Sequence, residues 1–242
     1  MTMSEHTSKA FDAELQELAR EIAEMGGLAE RQIGHAFQAL DLRDHALAQR
    51  VVADDAKIDA LQRQVEEKAI LTIARRQPMA IDLREIVGAL RLSNDLERIG
   101  DLAKNIAKRV GALEGDFRVP QVMGGVEHMT DLVLAQLKDV LDAYARRDSA
   151  KAVVVWRGDE EIDAVNNSLF RELLTYMMED PRNIGLCTHL LFGAKNIERI
   201  GDHATNIAET VYYLVHGRPI TDQRPKSDTT SSTPVALKRS AG

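Results

Sequence analysis

A single cysteine, Cys187, in a chain of 242 residues cannot close an internal disulfide, so no oxidised framework holds this protein together. Aromatic residues make up only 4% of it. With Ala, Leu, Glu, Gln and Arg abundant in their place, the composition favours helix over strand. No stretch approaches the run of about eighteen apolar residues that a membrane span requires. The amino terminus, MTMSEHTSKAFDAEL, lacks the apolar centre of a signal peptide. The expected location is therefore the cytoplasm. Basic residues are also too few to balance the acids, 31 against 38, and a net charge of −7 argues against a surface built to neutralise phosphate backbones. No nucleic-acid partner is expected.

What the chain does have is length, 44% apolar residues and long helical periodicity, enough for a sizeable core. Leu15, Leu18, Ile22, Met25, Ala29, Ile33, Ala36 and Leu40 recur at spacings of three and four, as do Leu92, Leu96, Ile99, Ala103, Ile106 and Val110. Only three prolines precede residue 217: Pro78, Pro120 and Pro181. Each separates two periodic segments, and Asp44 and Asp148 mark further breaks, because aspartate favours caps and turns. The pattern predicts six helices, at about 8–42, 46–75, 79–112, 121–146, 149–178 and 182–216.

The two halves match. Met25, Gln32, Ala39, Asp44, Asp55, Ile58 and Asp59 reappear as Met129, Gln136, Ala143, Asp148, Asp159, Ile162 and Asp163 at a constant offset of 104, and Glu97, Asp101 and Asn105 as Glu198, Asp202 and Asn206 at an offset of 101. This is a three-helix unit made twice, an all-α protein of two tandem three-helix bundles spanning 8–115 and 119–216. Residues 217–242, rich in Pro, Ser and Thr without periodicity, read as a disordered tail.

The repeated element carries acids. NDLERIGDLAKNIAK at 94–108 and NIERIGDHATNIAE at 196–209 share a Glu-Arg-Ile-Gly-Asp string. On the preceding helix of each unit stand Asp55 and Asp59, or Asp159 and Asp163. Four-residue spacing puts each pair on one helical face, about 6 Å apart along the axis. Folding the first hairpin about position 78 brings Asp59 level with Glu97 and Asp55 level with Asp101, and folding about Pro181 does the same for Asp163 with Glu198 and Asp159 with Asp202. Four carboxylates so placed repel unless protonated or bridged by cations. Oxygen-only ligands suit Mg²⁺, Mn²⁺, Ca²⁺ or ferric iron, whereas structural zinc sites draw on Cys and His, which are missing from these eight positions. Because Asp59 adjoins Ile58 and Glu97 adjoins Leu96, the acids border the core, and a partly exposed metal site is expected.

A lone Asp-x-x-x-Asp is ordinary on a solvated helix face. Two such motifs meeting across both hairpins favour a cation role. Gly100 and Gly201 read as places of close helix packing, and Arg98 and Arg199 as partners of neighbouring acids. His203 lies five residues after Glu198, so the Glu-x-x-His of di-iron bundles is absent from this string. Cys187 reads as a small buried hydrophobe that His189 does not activate, and Trp156 as core.

QPMAIDLREIVGALRLSNDLERIGDLAKNIAKRV, followed one repeat later by NIERIGDHATNIAETV, resembles the PhoU family of phosphate uptake regulators over roughly 8–216. The resemblance implies paired helical bundles, often dimeric, with metal clusters held by Asp55, Asp59, Glu97 and Asp101 in the first half and Asp159, Asp163, Glu198 and Asp202 in the second. The metal is open among Mg, Mn, Fe and Zn. It further implies a negative regulator of phosphate uptake and of starvation signalling, so an indirect regulator of transcription. Its implied partners are a second copy of the chain, the ATPase subunit of the phosphate ABC importer and the phosphate-sensing histidine kinase, with any membrane association indirect. Neither catalytic nor cofactor-binding residues follow from it. Two alternatives are a metal-dependent phosphohydrolase, since oxygen-bound metals can activate water, and a plain helical scaffold.

Overall fold

The computed structural model of the chain describes residues 3–113 and 119–222, with side chains from Phe11 onward. Six long α-helices follow one another: α1 (Met3–Leu42), α2 (His45–Arg76), α3 (Ile81–Val110), α4 (Pro120–Arg146), α5 (Ser149–Glu179) and α6 (Ile184–His216). The first helix begins earlier than its apolar stripe predicts; the other limits lie close to those the prolines and caps indicate. Residues 223–242 of the expected disordered tail lie outside the described residues. Its first residues leave the helix at Gly217 (φ 69°), whose N–H donates to the Tyr213 carbonyl at 2.8 Å. Ile220 nevertheless rests against the core.

The breaks at Asp44 and Asp148 have one chemistry. Arg43 and Arg147 both adopt φ 54°, and the next N–H reaches back to close the helix, Asp44 to Ala39 O at 3.0 Å and Asp148 to Ala143 O at 2.9 Å. The same aspartates then cap the following helix, accepting from Leu47 N and Lys151 N, each at 2.9 Å. Each cap contributes about 1 kcal/mol. At the hairpin tips the halves differ. Gln77 ends α2 in a left-handed conformation (φ 49°), whereas Pro181–Asn183 form a 3₁₀ turn that leads directly into α6.

Within each half the three helices pack on one another, and the halves join where α3 lies against α6 and α1 against α4. Glycines allow that approach. A Cβ on Gly88 would lie 2.6 Å from Leu214 Cδ2, and one on Gly26 would lie 2.5 Å from Leu141 Cδ1. Asp95 of α3 shares a 2.9 Å hydrogen bond with His203 Nδ1 and accepts from Asn206 Nδ2 at 3.4 Å, both on α6. The apolar stripes of all six helices merge into one continuous core that includes Trp156 and Cys187. Among the described residues no helix is long and apolar enough to cross a membrane.

Candidate metal centres

The α2–α3 hairpin folds about position 78. Gln62 Nε2, sixteen residues before it, donates to Asn94 Oδ1, sixteen after it, at 3.1 Å. That register brings the first four acids within electrostatic reach of one another. Burial raises the Asp55 carboxyl above its ordinary value, Lys104 opposes that shift, and Asp59 and Asp101 add to it. Burial likewise raises Glu97, Arg98 opposes it, and Asp101, Asp59 and Asp55 all push the same way as burial. In the second half Thr205 Oγ1 of α6 donates to Asp159 Oδ1 of α5 at 3.4 Å and to the Gly201 carbonyl at 3.1 Å.

Burial departs from the sequence expectation. Asp55, Asp159, Asp163 and Glu198 are 3%, 2%, 3% and 4% exposed, while Asp59, Glu97, Asp101 and Asp202 are half-buried. The partly exposed site therefore holds for half of the acids only. The other four are buried.

Arg98 and Lys104 answer part of the negative charge of the first cluster. Lys104 Nζ donates to Asp55 Oδ2 and, at 2.5 Å, to Asp101 Oδ1; burial lowers its pKa, but the two carboxylates together outweigh that and raise it. Arg98 sits outside them, 3.4 Å from Glu97 and 3.3 Å from Asp101, as its spacing suggests. At the repeat offset of 101 the counterpart of Lys104 is Thr205, a neutral residue. In the second half Lys195 pairs with Glu198 at 2.9 Å from the preceding turn.

Gly100 and Gly201 serve packing in both halves. A Cβ on Gly100 would meet Ile58 Cδ1 at 3.0 Å and one on Gly201 would meet Ile162 Cδ1 at 3.0 Å. Gly100 does more: the same point lies 3.2 Å from Asp55 Oδ1 and 3.2 Å from Gln32 Oε1. Among the described residues those two buried oxygens have no hydrogen-bond partner.

As the side chains stand, no three of Asp, Glu, His and Cys among the described residues converge as ligands of one ion. The donors nevertheless suit a hard cation in kind. They are carboxylate and amide oxygens, they are partly desolvated, and Asp55 Oδ1 is a buried acceptor without a proton donor. Cys187 and His203 do not compete for that role. The Cys187 thiol is fully buried with its pKa raised by burial, so it stays protonated, and His203 is engaged with Asp95. Sequence reasoning missed Lys104 and Gln32; the mismatch of Lys104 with Thr205 and the match of Gln32 with Gln136 were the available signals.

The PhoU domain profile matches residues 3–110 and again 126–211. The chain belongs to the PhoU family. It is 59% identical over 94% of its length to the phosphate-specific transport system accessory protein PhoU homolog of Rhizobium meliloti, covering 96% of that protein. It is 52% identical over 95% of its length to the Caulobacter vibrioides protein of the same name, covering all of it. The crystal structure of PhoU from Pseudomonas aeruginosa superposes with a TM-score of 0.82 at 41% identity, covering 86% of this chain and 100% of that one. The phosphate transport system regulatory protein PhoU from Streptococcus pneumoniae gives 0.81 at 30% identity, covering 87% and 99%. These relatives are named as accessory and regulatory proteins, not enzymes, and membership gives this PhoU chain a regulatory role in phosphate transport.

Proposed function

We propose that this chain is a cytoplasmic, metal-binding adaptor that restrains phosphate uptake and phosphate-starvation signalling. It would act as a homodimer between the ATPase subunit of the phosphate ABC importer and the phosphate-sensing histidine kinase. The observation that carries the reading is the match, over nearly the whole chain, to accessory proteins of the phosphate-specific transport system. Residues 8–115 and 119–216 act as the two repeats, and 217–242 as a tail outside them.

In this reading Asp55, Asp59, Glu97 and Asp101 hold cations in the first repeat, and Asp159, Asp163, Glu198 and Asp202 in the second. The ion supplies positive charge that lets neighbouring carboxylates stay ionised in a partly dry seam. The chain's own residues then do the structural work. Each cluster draws one acid pair from each of two helices, so occupancy is coupled to how tightly α2 lies on α3 and α5 on α6. An adaptor needs that kind of rigidity more than a reactive group.

A pull-down from cell extract with the full chain as bait tests the partners. Recovery of the importer ATPase or the kinase, altered by added phosphate, is the expected result. Recovery of neither under both conditions would overturn the adaptor reading.

A further inference from the structure

Gln32, on α1, is 5% exposed, and among the described residues neither its carbonyl oxygen nor its amide nitrogen has a hydrogen-bond partner. Buried amides ordinarily find one. Its neighbour across the seam is Asp55, whose Oδ1 is buried and equally without a partner, while Oδ2 is held by Lys104. Both Gln32 Oε1 and Asp55 Oδ1 lie 3.2 Å from the point a Gly100 Cβ would occupy. Two oxygen acceptors thus face one small space that a glycine leaves open. A cation, a water molecule or the amide turned so that its Nε2 donates to Asp55 would join such a pair.

The second half repeats the buried glutamine but not its place beside the glycine of the Glu-Arg-Ile-Gly-Asp string, since the nearest atoms to a Cβ on Gly201 belong to Ile162 and Val133. Gln136 stands at the offset of 104 from Gln32, and its Oε1 is also buried with no partner. Its Nε2 lies 3.1 Å from the place of a Cβ on Gly158, the residue before Asp159. In each bundle, then, the first helix buries a glutamine amide, Gln32 beside Gly100 of α3 and Asp55 of α2, and Gln136 beside Gly158 of α5.

We propose that Gln32 supplies a neutral oxygen ligand from the first helix of the first bundle, so that this cation site is closed by three helices. The inference rests on the reading that the acidic clusters bind metal. An amide oxygen adds a hard donor without adding negative charge to a cluster that already has four acids, which suits Mg²⁺, Mn²⁺ or Ca²⁺.

The test uses the full chain with Mn²⁺ as the probe, titrated calorimetrically and melted with Mn²⁺ or with chelator, for wild type, Gln32→Met, Gln32→Glu and Asp55→Asn. Gln32→Met should weaken one class of Mn²⁺ sites about tenfold or more. It should leave the chelated protein as stable as wild type or more so, since a buried unpaired amide is gone. Gln32→Glu should bind Mn²⁺ more tightly, and it keeps the test available should the Met variant fail to fold. Wild-type affinity in Gln32→Met, or unchanged or weaker affinity in Gln32→Glu, overturns the proposal. So does a loss of stability in Gln32→Met that is equal with Mn²⁺ and with chelator, because the amide then only holds water. Binding lost in Asp55→Asn but kept in Gln32→Met would sink the glutamine role alone. A wild-type chain that takes up no Mn²⁺ would sink the metal reading with it.

Discussion

Lys104 on α3 holds Asp55 of α2 with its ammonium and Asp101 of its own helix at 2.5 Å, so the first acidic cluster contains a cation made of protein. Its repeat counterpart, Thr205, offers Asp159 only a hydroxyl. In the second cluster an ammonium comes instead from Lys195, 2.9 Å from Glu198, so the two clusters differ in where that charge sits. Removing one partner of a buried pair leaves the other charge uncompensated, at a cost of about 3 kcal/mol. Lys104→Met should lose that much stability in chelator, measured by denaturant titration, and regain most of it when a divalent cation is added. Equal stability in both conditions would show that no ion takes the place of the ammonium.

Asp55 and Glu97 set the pH behaviour of the site. Burial raises both carboxyls above their ordinary values. In the window from the ordinary carboxyl range, about 4, up to the raised values, the folded chain binds more protons than the unfolded chain. The contribution of these two groups to stability therefore falls as pH rises through that window. Cation binding runs the other way, because it needs the ionised form. The rise in melting temperature on adding Mn²⁺ should be full near neutral pH and shrink as pH falls through the window. A shift independent of pH would place the ion elsewhere.

Replacing Glu97 and Asp101 together by Ala removes half of the first cluster's ligands. Metal bound per chain, read by elemental analysis, should fall by about half because the second cluster is untouched. The helical circular dichroism should stay near wild type, since both side chains are half-buried rather than central. Unchanged metal content would remove these two residues from the assignment.

The two repeat glycines separate packing from ligand access. Gly100→Ala and Gly201→Ala each gain about 1 kcal/mol of helix propensity and each press a methyl on an isoleucine, so both should stay within about 1 kcal/mol of wild type. Only the Gly100 methyl also lies 3.2 Å from Asp55 Oδ1 and Gln32 Oε1. Mn²⁺ affinity should drop in Gly100→Ala and hold in Gly201→Ala. Equal affinities would show that the space beside Gly100 holds no ion.

Much of this was legible in the chain because it is local. The apolar stripes set the helices, Asp44 and Asp148 announced their caps, and counting outward from position 78 anticipated the level pairing that Gln62 and Asn94 make. Burial was harder. Asp55 and Asp59 are one turn apart on the same helix, yet Asp55, beside Gly100 and held by Lys104, is buried and Asp59 half-buried. Spacing on one helix cannot carry that information. Gln32 and Gln136 were visible as a repeat match, but their lack of partners is a property of the packed seam. The bond of His203 to Asp95 joins residues 108 apart, across the interface of the two bundles.

If this chain restrains the response to phosphate scarcity, deleting its gene alters a phosphate-starvation reporter even in phosphate-rich medium. The reporter is expected to stay on, with excess phosphate in the cell, and to be silenced again by the wild-type chain. A reporter that stays off in the deletion strain would contradict that restraint.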